Sequence, residues 1–373
     1  MKKVIVLMLV MMLAVTSLMA CAQEPAVDSN DQKPSAAATN EETQSAENTE
    51  SAQSAEGSDF TIGVLIFNYA NDYISYVRKG IEQAADAAGV KYITVDGAND
   101  QAKQTEQVDT MIQKGVDGLC VALVESAAAQ TIIDKCKAAG NLPVVFVNKK
   151  PTAEVMNTYD KCWYVGCATK SPGTYQAEML LEDWKADPSM DKNGDGVIQY
   201  VIVKGENGHE NAEARIVGIH EVLEASGVET EELDIQVAGW DSAKAKDLTD
   251  AWMSRYGDEI EVILSNNDAM ALGCVESLKA SGYFEGGKKI AVYGINAIQT
   301  GLEALEAGYF RGTVMTDMIS EGKTTFQGIL NAMNGVDCKT DIAFTYTEED
   351  KFFAIDPVKI RLDNTDVAWA MYK

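Results

Sequence analysis

The sequence predicts an α/β protein whose parallel sheets carry helices on both faces. From residue 61 onward, short and almost continuously apolar runs alternate with amphipathic segments of helical period, as in parallel strands covered on both sides. The pattern restarts near Trp163, which gives more strands than one open sheet comfortably holds. The fold class that follows is two doubly wound, Rossmann-like lobes.

The elements follow in order. In the first set, residues 73–88 and 104–113 have helical spacing, and Gly89 and Gly115 follow as C-terminal caps. Helices of the second set begin near Pro172, Asn211, Ser242, Asp268 and Ile298. Strands are predicted at residues 61–67, 92–95, 119–124 and 144–147, and then at 163–166, 200–203, 235–238, 262–264 and 290–293.

The N-terminal segment is predicted to be an export signal over residues 1–20. Lys2 and Lys3 precede an apolar run that is too short to span a membrane stably. The run ends in Leu-Met-Ala-Cys, which resembles a lipoprotein processing box, so we expect Cys21 to be lipidated and to anchor the protein outside the cell membrane. The alternative is a cleaved signal followed by an incidental cysteine. Residues 21–58 combine this cysteine with an acidic segment that holds almost no large apolar side chain, which predicts a disordered linker.

Composition restricts the function classes. The formal charge is −26 over 373 residues and no basic stripe is present, which argues against a nucleic-acid partner. Only a signal and a linker precede residue 61, without a helix-turn-helix, so a ligand-responsive repressor is not expected. Six cysteines follow Cys21 with no C-x-x-C spacing, and most are expected to be buried thiols.

One loop has the pattern of a calcium site. From Asp191 to Gln199, oxygen-bearing side chains stand at relative positions 1, 3, 5 and 9 with a glycine at 6, as in an EF-hand loop, and Val197 can offer its backbone carbonyl. Ile202 stands at position 12, where an EF-hand has a bidentate Glu, and the following residues have the pattern of a strand. Either the loop is incomplete, or a distant carboxylate completes it.

Polar turns follow the predicted strands. Ligands of doubly wound sheets bind beyond the carboxyl ends of the strands, so these turns are candidate contacts. They hold amides, a few aromatic residues and one arginine, Arg215. This composition suits a neutral polyhydroxylated ligand, because amides pair with hydroxyls and aromatic rings cover C–H faces.

The sequence resembles the bacterial glucose/galactose-binding proteins, the periplasmic-type substrate-binding subunits of sugar ABC importers. The similarity runs from about residue 61 to at least 317. It is carried by the segments at 77–83, 99–101, 143–149, 204–206, 212–215, 240–241, 245–247 and 266–271, together with the loop that begins at Asp191.

The resemblance implies the type I periplasmic-binding-protein fold, in which two lobes joined by three crossings close on the ligand. It places residues 59–143 and 317–356 in the N-terminal lobe, and residues 144–316 and 357–373 in the C-terminal lobe. The crossings are expected near Pro143, at Thr316-Asp317 and at Asp356-Pro357.

The resemblance also implies a structural calcium ion (Ca2+). Members of the family complete the loop with a Glu from another strand of the second lobe, and that position falls on Glu261. The implied ligands are Asp191, Asn193, Asp195, the Val197 carbonyl, Gln199 and Glu261.

The sugar contacts carry over in part. The aromatic pair that sandwiches the pyranose matches Tyr73, usually Phe in the family, and Trp240. Polar contacts match His209, Arg215 and Asn267.

Five contact positions depart from the family pattern. Acidic positions fall on Asn71, Asn211 and Asn296, and two amide positions fall on Ala122 and Thr316. Since amides accept hydrogen bonds more weakly than carboxylates, we expect the ligand specificity to be altered.

The implied function is that of an extracytoplasmic solute-binding lipoprotein, which captures a monosaccharide and delivers it to an ABC permease. Galactose or glucose is favoured, and a pentose or another hexose is the alternative. A second alternative is a sensor that presents the sugar to a chemoreceptor or histidine kinase. An enzyme is not expected, because a glycoside hydrolase needs two acids beside the sugar and amides stand there. We expect a monomer.

Overall fold

The structure, a computed structural model, describes residues 59–373. The predicted signal, Cys21 and the linker up to residue 58 lie outside the described residues. Over residues 59–373 the chain forms two mostly parallel sheets, each covered by helices, which confirms the predicted fold class. No helix in this range is long and apolar enough to cross a membrane.

The first sheet has seven strands. All neighbouring pairs are parallel except the antiparallel pair of β11 and β12. In spatial order the strands are Thr345–Thr347 (β11), Phe352–Ile355 (β12), Cys162–Cys167 (β5), Val144–Val147 (β4), Gly118–Ala122 (β3), Thr61–Ile66 (β1) and Lys91–Asp96 (β2).

Helices pack on both faces of this sheet because its strands are apolar on both sides. Val64 lies in the core beneath one face, and its neighbour Leu65 lies in the core beneath the other. The helices are Asp72–Ala88 (α1) and Met318–Met333 (α10) on the first face, and Gln101–Gln113 (α2), Ala129–Ala138 (α3) and the short Ala153–Met156 (α4) on the second.

The second sheet has six strands, and only its edge strand β13 runs antiparallel to its neighbour. In spatial order they are Val358–Ile360 (β13), Gly312–Met315 (β10), Ala291–Asn296 (β9), Val262–Ser265 (β8), Val197–Lys204 (β6) and Glu229–Val237 (β7). Its helices are Ser171–Ala186 (α5), Glu210–Ala225 (α6), Ser242–Arg255 (α7), Asp268–Ala280 (α8), Gln299–Glu306 (α9) and Thr365–Ala370 (α11).

The predicted lobe boundary after residue 143 is wrong. β4 and β5 belong to the first sheet, where Leu119 pairs with Val144 and Val144 pairs with Cys162. The chain therefore first changes sheets at residues 168–170, between β5 and α5, and not near Pro143. Strands buried on both faces look alike in sequence, so their pattern does not show which sheet they join.

The chain changes sheets twice more. Thr316-Asp317 connects β10 to α10, and Asp356-Pro357 connects β12 to β13. The first lobe thus ends with a C-terminal segment of the chain. β10 and the three short C-terminal strands were not among the predicted strands, since runs of three or four residues carry little periodicity.

The six cysteines of the described residues are all free and buried, which confirms the predicted buried thiols. Burial raises the pKa of the Cys136 thiol to about 12. These thiols stay protonated at neutral pH and act as small apolar side chains.

Candidate functional site

A cleft of about 720 Å3 lies where the carboxyl ends of strands from both sheets face each other. All eight predicted ligand contacts line it, namely Asn71, Tyr73, His209, Asn211, Arg215, Trp240, Asn267 and Asn296. The structure thus brings together residues that are up to 225 positions apart in the sequence, from Asn71 to Asn296.

Two further positions that depart from the family pattern, Ala122 and Thr316, do not line this cleft. Ala122 is fully buried, and its backbone carbonyl accepts a hydrogen bond from Gln104 Nε2 at 2.9 Å. Thr316 is also fully buried, and its hydroxyl accepts a hydrogen bond from Asn296 Nδ2 at 2.9 Å. This bond fixes the orientation of the Asn296 amide, so Thr316 acts on the cleft through its neighbour.

Trp240 forms one wall of the cleft in a constrained conformation. Its backbone has φ 66°, a left-handed value that is unusual for a bulky residue. Its ring lies directly over Gly205, where an added Cβ would come within 2.3 Å of the ring. Only glycine at position 205 leaves room for the ring in this position, and the His209 and Trp240 rings meet edge to face at a centroid distance of 5.1 Å.

Three of the eight predicted contacts cap helices. The Asn71 side-chain oxygen accepts from the backbone N–H of Ile74, and the Asn267 oxygen accepts from that of Met270. His209 Nδ1 accepts from the N–H of Asn211 at 3.2 Å. Because the caps use the acceptor atoms, what remains for a ligand is donors: the amide nitrogens of Asn71 and Asn267, and Nε2–H of a neutral His209.

His209 is held neutral by its surroundings. Burial lowers its pKa from 6.5 to about 3, and the positive charges of Lys149 and Arg215 act in the same direction. Its tautomer follows from the cap: with Nδ1 accepting, the proton lies on Nε2.

Arg215 lies in the cleft floor and is 6% exposed. One guanidinium nitrogen, Nη1, donates to the backbone carbonyl of Asn266, whereas Nε is buried without a partner. Its guanidinium carbon lies 5.9 Å from the centroid of the Trp240 ring.

Tyr73 has a partner that the sequence analysis missed. Its hydroxyl donates a 2.6 Å hydrogen bond to Glu321 Oε1 on α10, and Glu321 is fully buried with Oε2 unpaired. Burial raises the pKa of Glu321 to about 8, so the carboxyl is mostly protonated at neutral pH. An acidic residue in the apolar stripe of α10 was the available sequence signal, because such a residue is rarely buried without a specific partner.

One ion pair bridges the mouth of the cleft. Lys149 follows β4 of the first sheet and Glu206 follows β6 of the second, and Lys149 Nζ lies 3.5 Å from Glu206 Oε2. Lys149 Nζ also donates to the carbonyl of Val124 at 2.6 Å. Neither residue was among the predicted contacts.

The Asp191 loop lies apart from the cleft and leads into β6, as its strand-like continuation predicts. Asp191 accepts from the N–H groups of Gly194 and Gly196, and Asp195 accepts from that of Val197. Glu261, immediately before β8, reaches the loop: Oε1 accepts from the N–H of Lys192 at 2.6 Å and Oε2 from that of Gln199 at 3.3 Å.

The oxygens around this loop fit a hard cation. Asp191, Asp195 and Glu261 contribute carboxylates, while Asn193, Gln199 and the Val197 carbonyl contribute neutral oxygens, the mixture that Ca2+ prefers. Burial raises the pKa of Glu261, and the charge of Asp191 adds to this. Across residues 59–373, however, no three His, Cys, Asp or Glu side chains converge closely enough to hold a metal among themselves.

A second cavity, of about 430 Å3, lies in the second lobe beside Lys192 and Glu261. Two arginines line it, and both are already paired with acids: Arg311 with Asp187 at 3.1 Å, and Arg361 with Asp183 at 3.3 Å. This cavity therefore has no free charge with which to bind a ligand through these arginines.

Comparison with known proteins identifies the family. Residues 62–336 match the model of the periplasmic binding protein domain. The chain belongs to this family. Its members are extracytoplasmic substrate-binding proteins and not enzymes.

The chain is 42% identical over 280 residues to the D-galactose/methyl-galactoside binding periplasmic protein of Haemophilus influenzae, covering 74% of this chain and 83% of that protein. It is 26% identical over 277 residues to the ribose import binding protein of Bacillus subtilis, covering 74% and 83%. Among solved structures, a solute-binding protein of Bacillus halodurans with bound myo-inositol matches with a TM-score of 0.70 at 25% identity, covering 86% of this chain and all of that one.

Proposed function

We propose that this protein captures a monosaccharide in the cleft between its lobes and delivers it to an ABC importer. The observation that carries the proposal is the cleft itself, since two aromatic side chains and a set of amide and guanidinium donors converge there from five separate turns. Aromatic faces and planar donors are what a pyranose requires. The similarity to the galactose-binding protein of Haemophilus influenzae makes galactose or glucose the first candidates.

Closure of the lobes is the mechanism we propose for capture. Three short connections join the lobes, at 168–170, Thr316-Asp317 and Asp356-Pro357, and rotation about them would open and close the cleft. The Lys149–Glu206 pair supports this idea, because it links the two sides of the mouth and would break on opening.

A calcium ion at the Asp191 loop and a lipid on Cys21 complete the proposal. The ion would stabilise the second lobe, held by Asp191, Asn193, Asp195, Val197, Gln199 and Glu261, and would take no part in sugar contact. The lipid would keep the protein at the outer face of the membrane, next to the permease, and the protein would act as a monomer. Presentation of the bound sugar to a chemoreceptor or sensor kinase would use the same closure.

The test is a thermal-shift and calorimetric screen of the purified protein against hexoses, pentoses and nucleosides. A ligand at a hundredfold excess over its Kd stabilises the folded state by about 2.7 kcal/mol. We expect a rise in Tm with one or a few monosaccharides, accompanied by a smaller radius of gyration in X-ray scattering. No shift and no compaction with any sugar would contradict the proposal.

A further inference from the structure

The charge in the floor of the cleft has no direct counter-ion. Arg215 is 6% exposed, no carboxylate of the described residues lies within the 4.0 Å of an ion pair, and its only hydrogen bond is to the Asn266 carbonyl. A buried charge is costly unless it is paired and hydrogen-bonded. The unpaired Nε adds a donor with no acceptor.

The groups near Arg215 do not supply a negative charge at contact distance. Those that act on it electrostatically are Cys167 of β5, Tyr73 of α1, Glu321 of α10 and Asp268 of α8. The thiol, the phenol and the carboxyl of Glu321 are mostly neutral at pH 7, since burial raises the pKa of Glu321 to about 8. Asp268 is fully buried and its oxygens already accept from Thr313 Oγ1 and the Ile298 N–H.

The remaining acids of the cleft lie at its exposed mouth and not on its floor. They are Asp72, Glu125, Glu206 and Asp241, and Glu206 is already paired with Lys149. Solvent screens these exposed charges far more than it screens Arg215.

Both donors and acceptors remain free around Arg215, and the acceptors include Asn148 Oδ1, which is buried without a partner, and Asn296 Oδ1, whose amide nitrogen donates to Thr316. The caps leave the amide nitrogens of Asn71 and Asn267 for a ligand, and Trp240 Nε1 has no hydrogen-bond partner among residues 59–373. A buried cation with several donors nearby is complementary to an anion that has several acceptor atoms, and the two amide oxygens can accept from sugar hydroxyls.

We propose that the ligand is a monosaccharide that carries a carboxylate, a sugar acid of the hexuronate type, with its carboxylate on Arg215. This inference rests on the proposed function and narrows its ligand class. A single guanidinium balances one negative charge, and its planar fork matches a carboxylate, which favours this group over a phosphate dianion. The cleft volume of about 720 Å3 accommodates one sugar ring with ordered water.

The test compares matched ligands on the full chain by titration calorimetry. The pairs are galactose with galacturonate and glucose with glucuronate, and galactose 6-phosphate serves as the phosphate arm. We expect one uronate to bind at least about tenfold more tightly than its neutral partner, as a charge-assisted bond replaces a neutral one. Tighter binding of the neutral hexose or of the phosphate would overturn the inference. Tighter binding of the neutral hexose would still leave the proposed function intact.

Two variants locate the effect. Asn211→Asp places a carboxylate four residues before Arg215 on α6, on the same helix face, where it supplies the missing counter-ion. We expect the preference for the uronate to fall at least about tenfold or to reverse. Gln83→Glu adds the same charge on an exposed position of α1 and should leave the preference unchanged.

Arg215→Gln is the second variant. It should abolish the preference for the uronate while some binding of the neutral sugar remains. If a uronate is preferred but both variants keep that preference, its carboxylate does not lie on Arg215 and the assignment is wrong. If no sugar of any kind binds the wild-type protein, both the proposed function and this inference fail.

Discussion

The cleft and the Asp191 loop are built in opposite ways. The loop takes five of its six proposed ligands from one run of nine residues, and a single remote residue, Glu261, reaches it from the start of β8. The cleft takes its residues from both lobes, and no two neighbouring elements supply the whole of it. The loop should therefore govern the stability of one lobe, whereas the cleft should govern selectivity and closure with little effect on stability.

The largest effect is expected from a substitution in the aromatic wall of the cleft. Trp240→Ala removes the ring that lies over Gly205, and we expect the affinity for the bound sugar to fall about 100-fold, or roughly 3 kcal/mol. Calorimetry measures this loss. The variant should keep any calcium-dependent rise in Tm, because the ring is far from the loop in the fold. An equal loss of both properties would show that the two regions are not independent.

The second-largest effect is expected at the Asp191 loop, where calcium should stabilise the protein. With calcium in hundredfold excess over its Kd, we expect about 2.7 kcal/mol of added stability in chemical unfolding, removed by a chelator. Glu261→Gln should remove most of this increment and leave sugar affinity within about threefold of wild type, since the Glu261 carboxylate bonds to the loop and does not line the cleft.

Glu259→Gln is the matched control for this variant. It removes the same charge from an exposed position two residues earlier and should change neither property. If Glu261→Gln leaves the calcium response at its wild-type value, Glu261 is not the remote ligand.

The third prediction concerns the buried Glu321. Its pKa is raised from 4.5 to about 8, so the unfolded state releases the proton first and stability falls as pH rises through this window. Glu321→Gln should remove this dependence and raise the free energy of unfolding at pH 7 by about 2 kcal/mol, while an oxygen that can accept from Tyr73 is retained. A pH series of urea unfolding curves measures this. A destabilised Glu321→Gln at pH 7 would show that the carboxylate is ionised and paired.

The smallest effect is that of His209. Its pKa is lowered from 6.5 to about 3, so the unfolded state binds a proton first as pH falls, and stability is lost below pH 6.5. Between pH 7 and 5.5, His209 should lower the free energy of unfolding of the wild-type protein by about 1 kcal/mol, and we expect His209→Gln to abolish this decrease. The same change at His220, a half-buried residue outside the cleft that pairs with Glu232 at 2.7 Å, is the comparison. Identical slopes in both variants would mean that His209 is not buried as a neutral ring.

The sequence predicted the cleft better than the lobe boundary, for a physical reason. Asn71, His209, Trp240 and Asn267 follow strands, and the carboxyl ends of parallel strands must meet at one edge whichever sheet they join. The membership of β4 and β5 depends on which neighbours they pair with, and their apolar residues fit either sheet.

The Tyr73–Glu321 pair could not be read from spacing. The two residues are 248 positions apart and meet only because α1 and α10 pack on the same face of the first sheet. Gly205 likewise gave no signal, since its need for a small side chain is set by the ring of a residue 35 positions later.

The order in which the chain passes between the sheets has a consequence for synthesis and export. The second lobe is almost one continuous stretch, from α5 to β10, and lacks only its edge strand β13 and helix α11. The first lobe remains without α10, β11 and β12 until nearly the whole chain has emerged. The lobe that contains the Asp191 loop can thus acquire its structure early, while the N-terminal half of the cleft stays unformed until the last 50 or so residues have left the translocation channel.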